Sequence, residues 1–265
     1  MIANLVAEAS DGIVVGARHS GANGPAIVFV HGVGSTAAAW DPQLLGLEDT
    51  YRSYAIQLRG NGGIGSNPEP DKITRNGYAR DVLAIMDASK IERAHFVGCS
   101  LGGAVGFELW ATAPERVASF TFVGSFAAYP NGGAYAESVV ELVRAAGDME
   151  TFARARVGRL GLPPEREAAA IAEMACKTVP SYVAATRATW TGDYSELLPT
   201  ITVPTLVIVG ERDTVAPLGL SEEIAKGIPG ARLEVVSNAG HVTNADAPER
   251  FNAMLREFLE SVERH

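Results

Sequence analysis

Short apolar, β-branched runs alternate along this chain with stretches of helical periodicity, and that alternation admits few folds. Strands joined by crossover helices build a largely parallel sheet covered on both faces. Strands are expected at 13–15, 26–30, 53–56, 94–97, 119–123, 205–209 and 232–236, and helices at 78–89, 101–113, 218–227 and 248–263. Pro114, and Pro229 with Gly230, read as helix stops. Residues 127–199 break the pattern. They hold no convincing strand, only helical stretches separated at Asn131-Gly132-Gly133, Gly147-Asp148, Gly161-Leu162-Pro163-Pro164 and Val179-Pro180. A helical insertion between two strands is expected to cover the carboxyl edge of the sheet, where open α/β sheets bind ligands. The expected organisation is therefore an α/β core of residues 1–126 and 200–265 with a helical lid at 127–199.

The sharpest local signal is Val97-Gly98-Cys99-Ser100-Leu101-Gly102-Gly103, placed directly after an expected strand and directly before an expected helix. In that context G-x-S-x-G is a nucleophile elbow. The serine takes a strained backbone conformation, so the residues two positions away on either side must be nearly free of side chain. The turn lifts the Ser100 hydroxyl above the sheet and aims the Leu101 amide at a developing oxyanion. Alone, such a motif reads equally well as a glycine-rich turn without chemistry.

Three further segments change that balance. His31-Gly32-Val33-Gly34 ends an expected strand, where the Val33 amide is the natural second oxyanion donor; His31 itself reads as a packed, hydrogen-bonded turn residue. Val207-Ile208-Val209-Gly210-Glu211-Arg212-Asp213 is a strand with an acid at its tip, and Asn238-Ala239-Gly240-His241 is a loop carrying a histidine after the last strand. Singly, Asp213 reads as a turn or cap residue and His241 as a surface residue. Jointly, Ser100, Asp213 and His241 follow in the chain order that this kind of site uses, each just past a strand. A serine hydroxyl needs a base, and the base needs a carboxylate to fix its tautomer. Rivals are few: Gly124-Ser125-Phe126 offers no acid, and Cys99 falls outside the glycine frame. His19, His95 and His265 fall in an early strand, at a strand start and at the terminus.

These segments resemble the α/β-hydrolase superfamily over nearly the whole chain, and within it the 3-oxoadipate enol-lactonase group and its esterase relatives. The likeness is carried by Tyr78-Ala79-Arg80-Asp81-Val82 through Ile91-Glu92-Arg93-Ala94-His95-Phe96-Val97-Gly98, by Pro204-Thr205-Leu206-Val207-Ile208, and by Gly240-His241-Val242-Thr243-Asn244. The resemblance implies hydrolysis of a carboxylic ester or lactone, including an enol-lactone, through an acyl-enzyme. Thioester, amide, carbamate and C–C substrates, and a ligand receptor on the same fold, stay open as alternatives. The chain departs from the group at Gln57-Leu58-Arg59-Gly60-Asn61-Gly62 followed by an extended Gly63-Ile64-Gly65, where relatives show Asp-x-Arg-Gly-x-Gly. That loop is expected to border the pocket and alter the substrate.

The insertion holds Arg144, Arg154, Arg156, Arg159, Arg166 and Arg187 with Phe152, Tyr182 and Trp190. An arginine facing the pocket would grip a substrate carboxylate. Arg187 and Arg159 are the candidates, with Trp190 as an aromatic wall. The plainer reading is solvated helix faces paired with Glu150, Glu165 and Glu167, and Trp190 as packing.

Bulk properties narrow the classes of partner. The 31 acidic and 22 basic side chains give a net charge of −9, which repels nucleic acid. No apolar run reaches the length of a membrane span. Two cysteines cannot build a disulfide framework, and the first residues lack signal-peptide character, so a soluble cytoplasmic protein is expected. No cluster has metal-ligand spacing, and neither metal nor organic cofactor is implied. The expected partner is a small ester or lactone.

Overall fold

A computed structural model describes residues 1–160, 162 and 164–264, the Glu165 side chain excepted. Gly161 and Pro163 of one expected turn, the Glu165 carboxylate and His265 lie outside the described residues. The chain begins with β1 (Ala3–Glu8), β2 (Val14–Ser20), β3 (Ala26–Val30), α1 (Asp41–Gly46), β4 (Arg52–Gln57), α2 (Arg75–Ala88), β5 (Ala94–Cys99), α3 (Leu101–Thr112) and β6 (Val117–Val123). Four helices follow, with no strand among the described residues: α4 (Gly132–Ala146), α5 (Met149–Val157), α6 (Pro164–Ala175) and α7 (Val179–Trp190). The chain then returns through β7 (Thr205–Gly210), α8 (Leu218–Gly227), β8 (Arg232–Val236), α9 (Thr243–Asp246) and α10 (Pro248–Glu263).

The strands form one sheet in the order β1-β2-β4-β3-β5-β6-β7-β8, antiparallel at β1 and β2 and parallel from β4 onward. Alternate residues of β3 enter opposite cores: Val28 and Val30 pack with α2 and α3, and Ile27 and Phe29 with α1 and α10. That alternation is the period-2 geometry of a strand covered on both sides. In α10 the buried Phe251, Leu255, Phe258 and Leu259 recur at helical spacing and fix which side faces the sheet. The chain runs from β3 out to β4 and then back across to β5 on the other side of β3. The crevice for a ligand therefore opens beyond the carboxyl ends of β3 and β5.

The parallel strands were all expected; β1 was not, because an edge strand with its residues largely exposed carries little apolar signal. Helix α2 begins three residues before its apolar pattern, where the Thr74 hydroxyl accepts from the Gly77 amide and caps it. Val179-Pro180 does not separate helices as expected. Both residues sit in the first turn of α7 behind the Thr178 cap, where proline costs no hydrogen bond. The two ends of the helical insertion are drawn together by a bridge between Ala128 and Asp193 and by the Tyr194 amide donating to the Ala127 carbonyl at 2.9 Å.

Candidate active site

Ser100 closes the gap between β5 and α3 with φ 53° and ψ −111°, a conformation that L residues rarely hold. Its surroundings over-determine it. A Cβ at Gly98 would stand 2.4 Å from the Gly102 carbonyl oxygen, and one at Gly102 would stand 2.2 Å from that of Val30. Only glycine fits either place, as the elbow reasoning requires. The Ser100 amide donates to the Val123 carbonyl at 3.0 Å, tying the turn to β6. Burial pushes the neighbouring Cys99 thiol up to about 12, so it stays neutral beside the serine.

Asp213 and His241 arrive from the turns after β7 and β8. His241 Nδ1 meets Asp213 Oδ2 at 2.8 Å, and Asp213 Oδ1 accepts from the amides of Val215 and Ala216, each at 2.8 Å. With its second oxygen locked by two amides, the carboxylate has one direction left, toward the imidazole. Both side chains are buried. The pair needs room behind it, and Gly124 supplies it at φ +49°: a Cβ there would lie 3.1 Å from both Asp213 Oδ2 and His241 Nδ1. The sequence signal for Gly124 is its place directly after a strand, where the absence of an acid leaves space as the quantity that matters. Ser100 and His241 line one cavity, and among the described residues no hydrogen bond joins them. Catalytic hydrogen bonds are often unformed before substrate binds.

The loop after β3 forms an adjoining part of the cavity wall, with Gly32 passing beside Ser100 and Val33 next in line. Leu101 is the first residue of α3, where an amide has no intrahelical acceptor. His31 is buried in the turn role expected of it. Its Nδ1 lies 2.9 Å from the Gly32 carbonyl and Nε2 accepts from the Leu58 amide at 3.3 Å, so the ring is the neutral Nδ1–H tautomer. Burial pushes it down to about 3. The departed loop after β4 does not border the cavity as expected; it props the wall from behind. Arg59 is fully buried against Asp81, at 2.6 Å, and Asp11, at 2.6 Å, while the Gln57 side chain accepts from the Ala37 amide and the Asn61 carbonyl accepts from Lys177 Nζ at 3.0 Å. Gln57, the residue that departs from the pattern, thus serves anchoring, as does Arg59, which keeps to it.

The opposite wall comes from the inserted helices: Arg156, Val157, Leu160, Arg166, Met174 and Trp190 all reach the cavity. Trp190 is both wall and packing. It stacks on Phe126 at 5.1 Å and takes Tyr129 and Tyr135 edge-on at 4.6 Å. Arg187 and Arg159, also expected at the cavity, do not line it. Arg187 sits on the outer face of α7, half-exposed and paired with Glu137 at 2.7 Å, because the inward stripe of that helix runs through Tyr182, Ala185, Thr186, Thr189 and Trp190. Arg159 lies past the end of α5, exposed in the turn that follows. Arg154 pairs with Glu150 in solvent, as the plainer reading held. Arg156 and Arg166, half-buried, take the inward places, and among the described residues neither makes an ion pair. Glu173 shares the cavity, its Oε2 occupied by the Ser35 hydroxyl at 3.0 Å and the Thr36 amide at 3.2 Å.

Among the described residues no three His, Cys, Asp or Glu side chains are grouped to hold a metal ion, and no helix is long and apolar enough to cross a membrane. Known proteins are similar to this chain along nearly their whole length. RutD of Azorhizobium caulinodans, which carries the name of a carbamate hydrolase, is 30% identical over 91% of this chain and 93% of its own. 3-Oxoadipate enol-lactonase 1 of Acinetobacter baylyi is 29% identical over 91% of each chain. Among solved structures, a hydrolase from Pseudomonas aeruginosa superposes with a TM-score of 0.87 at 30% identity, covering 97% of this chain and 98% of its own. The enol-lactonase of Burkholderia xenovorans gives 0.86 at 26% identity, covering 97% and 100%. A family model described as the alpha/beta hydrolase family matches residues 27–254, so the chain belongs to that family and is a hydrolase built on its fold.

Proposed function

We propose that this protein is a serine hydrolase that cleaves a carboxylic ester or lactone through an acyl-enzyme. The observation that carries the reading is the single cavity onto which Ser100 and the Asp213-bound His241 both open. With its Nδ1–H donating a hydrogen bond to the Asp213 carboxylate, His241 keeps Nε2 free to take the proton of Ser100 as the hydroxyl attacks the carbonyl carbon. The amides of Val33 and Leu101 receive the oxyanion, at about 3 kcal/mol of transition-state stabilisation each. Collapse expels the alcohol, protonated by His241; water, deprotonated in turn by His241, attacks the acyl carbon and frees Ser100. Residues 127–199 act as the lid that shields these steps from solvent.

Arg156 and Arg166 support an acyl group that carries a negative charge, and the likeness to enol-lactonases supports a lactone of that kind. The likeness to RutD favours a carbamate as the second reading, which the same groups would serve. Ser100→Ala tests the nucleophile. Turnover of p-nitrophenyl acetate or of a small lactone should fall by several orders of magnitude with an unchanged circular-dichroism spectrum. Undiminished turnover would remove Ser100 from the reaction.

A further inference from the structure

The loop that carries His241 is closed by a carboxylate with no part in the steps above. Asp246, in α9, accepts from the Gly240 amide through Oδ2 at 2.6 Å, and its Oδ1 is buried with no partner among the described residues. Within the segment between them the amides of Ala245 and Asp246 return to the Val242 carbonyl at 2.8 and 2.9 Å, and the Thr243 hydroxyl reaches the Gly240 carbonyl at 3.4 Å. Asn244 anchors its far end to α1 and the residues before it, its carbonyl accepting from Gln43 Nε2 at 3.1 Å and its Nδ2 donating to the Ala39 carbonyl at 3.3 Å, which leaves Asp246 as the side-chain tie on the Gly240 amide. Asp246 thus grips the amide immediately before His241 across a six-residue span. A cap formed at that distance fixes where the imidazole stands relative to β7.

The carboxylate also sits in the electric field of the pair it borders. The titratable groups that face it are His241 from its own loop, Asp213 from the turn after β7 and Cys99 from the end of β5. Arg250, in the first turn of α10, is exposed and makes no ion pair among the described residues. Burial raises the Asp246 carboxyl to about 6, against the Gly240 amide and the His241 charge, which both favour the ionised form. At neutral pH a second anion therefore stands near the imidazole, beside Asp213.

We infer that Asp246 is a positioning residue for His241, which holds the loop through Gly240 and adds a negative charge that stabilises the imidazolium formed during catalysis. The inference rests on the serine-hydrolase reading for its consequence in turnover, and on geometry alone for its effect on the imidazole. Two variants separate its parts. Asp246→Asn keeps an acceptor for the Gly240 amide and removes the charge, whereas Asp246→Ala removes both.

The test is the titration of the His241 imidazole followed by NMR on the whole protein, beside the pH profile of kcat/KM for p-nitrophenyl acetate. Both variants should titrate at lower pH than the parent by roughly half a unit, with the acid limb of the profile displaced equally. Asp246→Ala should in addition lose on the order of 10-fold in kcat with little change in KM, because a loosened base is misplaced in the transition state. A midpoint in Asp246→Asn equal to the parent's would overturn the inference, whatever Asp246→Ala does to thermal stability. If no ester or lactone is turned over, the imidazole titration still decides the matter, and only the hydrolase reading fails.

Discussion

The two walls of the cavity are built by different means. On the sheet side, backbone constraints place each group: two glycines that admit no Cβ hold Ser100 in its strained turn, two amides lock one oxygen of Asp213, and a third glycine clears the space behind the Asp213–His241 pair. On the helix side, side chains are placed by apolar packing. Phe152 and Tyr182 meet edge-on at 5.1 Å within a cluster that includes Val157 and Met174, and the Trp190 block packs on Val215 and Ala216. Backbone placement tolerates little displacement, because strands and turns that hydrogen-bond to the rest of the sheet move only with it. Packed helices can shift relative to one another with smaller penalties. Under the proposed function, chemistry that needs sub-ångström placement falls to the first wall and recognition to the second.

The sharpest way to break this contrast is Gly124→Ala. The new methyl would have to displace Asp213 or His241 or leave its φ of +49°, and a small misplacement of a base costs about 10–100-fold in kcat/KM. Steady-state kinetics on a small ester measures it, with thermal melting as the control on folding. Activity within twofold of the parent would mean that the sheet-side wall yields as easily as the helix side, and the contrast would be lost.

Arg156→Met sharpens the other half. Methionine keeps apolar bulk on α5 while removing the cation. The ratio of kcat/KM for the p-nitrophenyl hemiester of succinate over that for the neutral butyrate ester should fall by about 10-fold, the scale of one charge-assisted hydrogen bond. An unchanged ratio would assign anion recognition to Arg166 alone or deny it to this wall.

The contrast also accounts for what could be read from the amino-acid order. Gly98, Ser100 and Gly102 stand within five residues, and the steric demand that links them is local, so the motif carries its own geometry. Asp213 and His241 lie far from Ser100 in sequence, yet each follows a strand of a parallel sheet, and topology brings such positions to one edge. The helix side offers no equivalent rule. Arg156 and Arg159 are three residues apart, and which one enters the cavity depends on α5 ending at Val157. Arg187 differs from Trp190 by less than one turn, yet the packing of α7 on α4 sends one to solvent and the other inward. These outcomes belong to the docking of helices, which periodicity alone does not specify. The loop after β4 differs from expectation for a related reason: departure from a family pattern does not specify which way a loop faces, and the buried Arg59 that anchors it finds its acids at the distant Asp11 and Asp81.

The smallest predicted effect concerns His31, whose neutral ring ties the Val33 loop to the Leu58 amide on the sheet side. In the unfolded chain this imidazole protonates near its ordinary value of 6.5, whereas burial, with the nearby Lys177 charge adding to it, holds the folded value at about 3. Below 6.5 the unfolded state therefore binds a proton that the folded state refuses, and stability falls as pH drops from about 6.5 toward 3. One such site contributes at most about 1.4 kcal/mol per pH unit. His95, also lowered by burial, acts in the same direction and is present in parent and variant alike, so it cancels in a comparison. Urea midpoints measured from pH 7 to pH 5 should decline more steeply for the parent than for His31→Gln, whatever the variant's absolute stability. Parallel slopes would show that the ring accepts a proton in place. In that case the Leu58 tie breaks within the folded protein, and the loop bearing Val33 would be the yielding part of a wall otherwise fixed by its backbone.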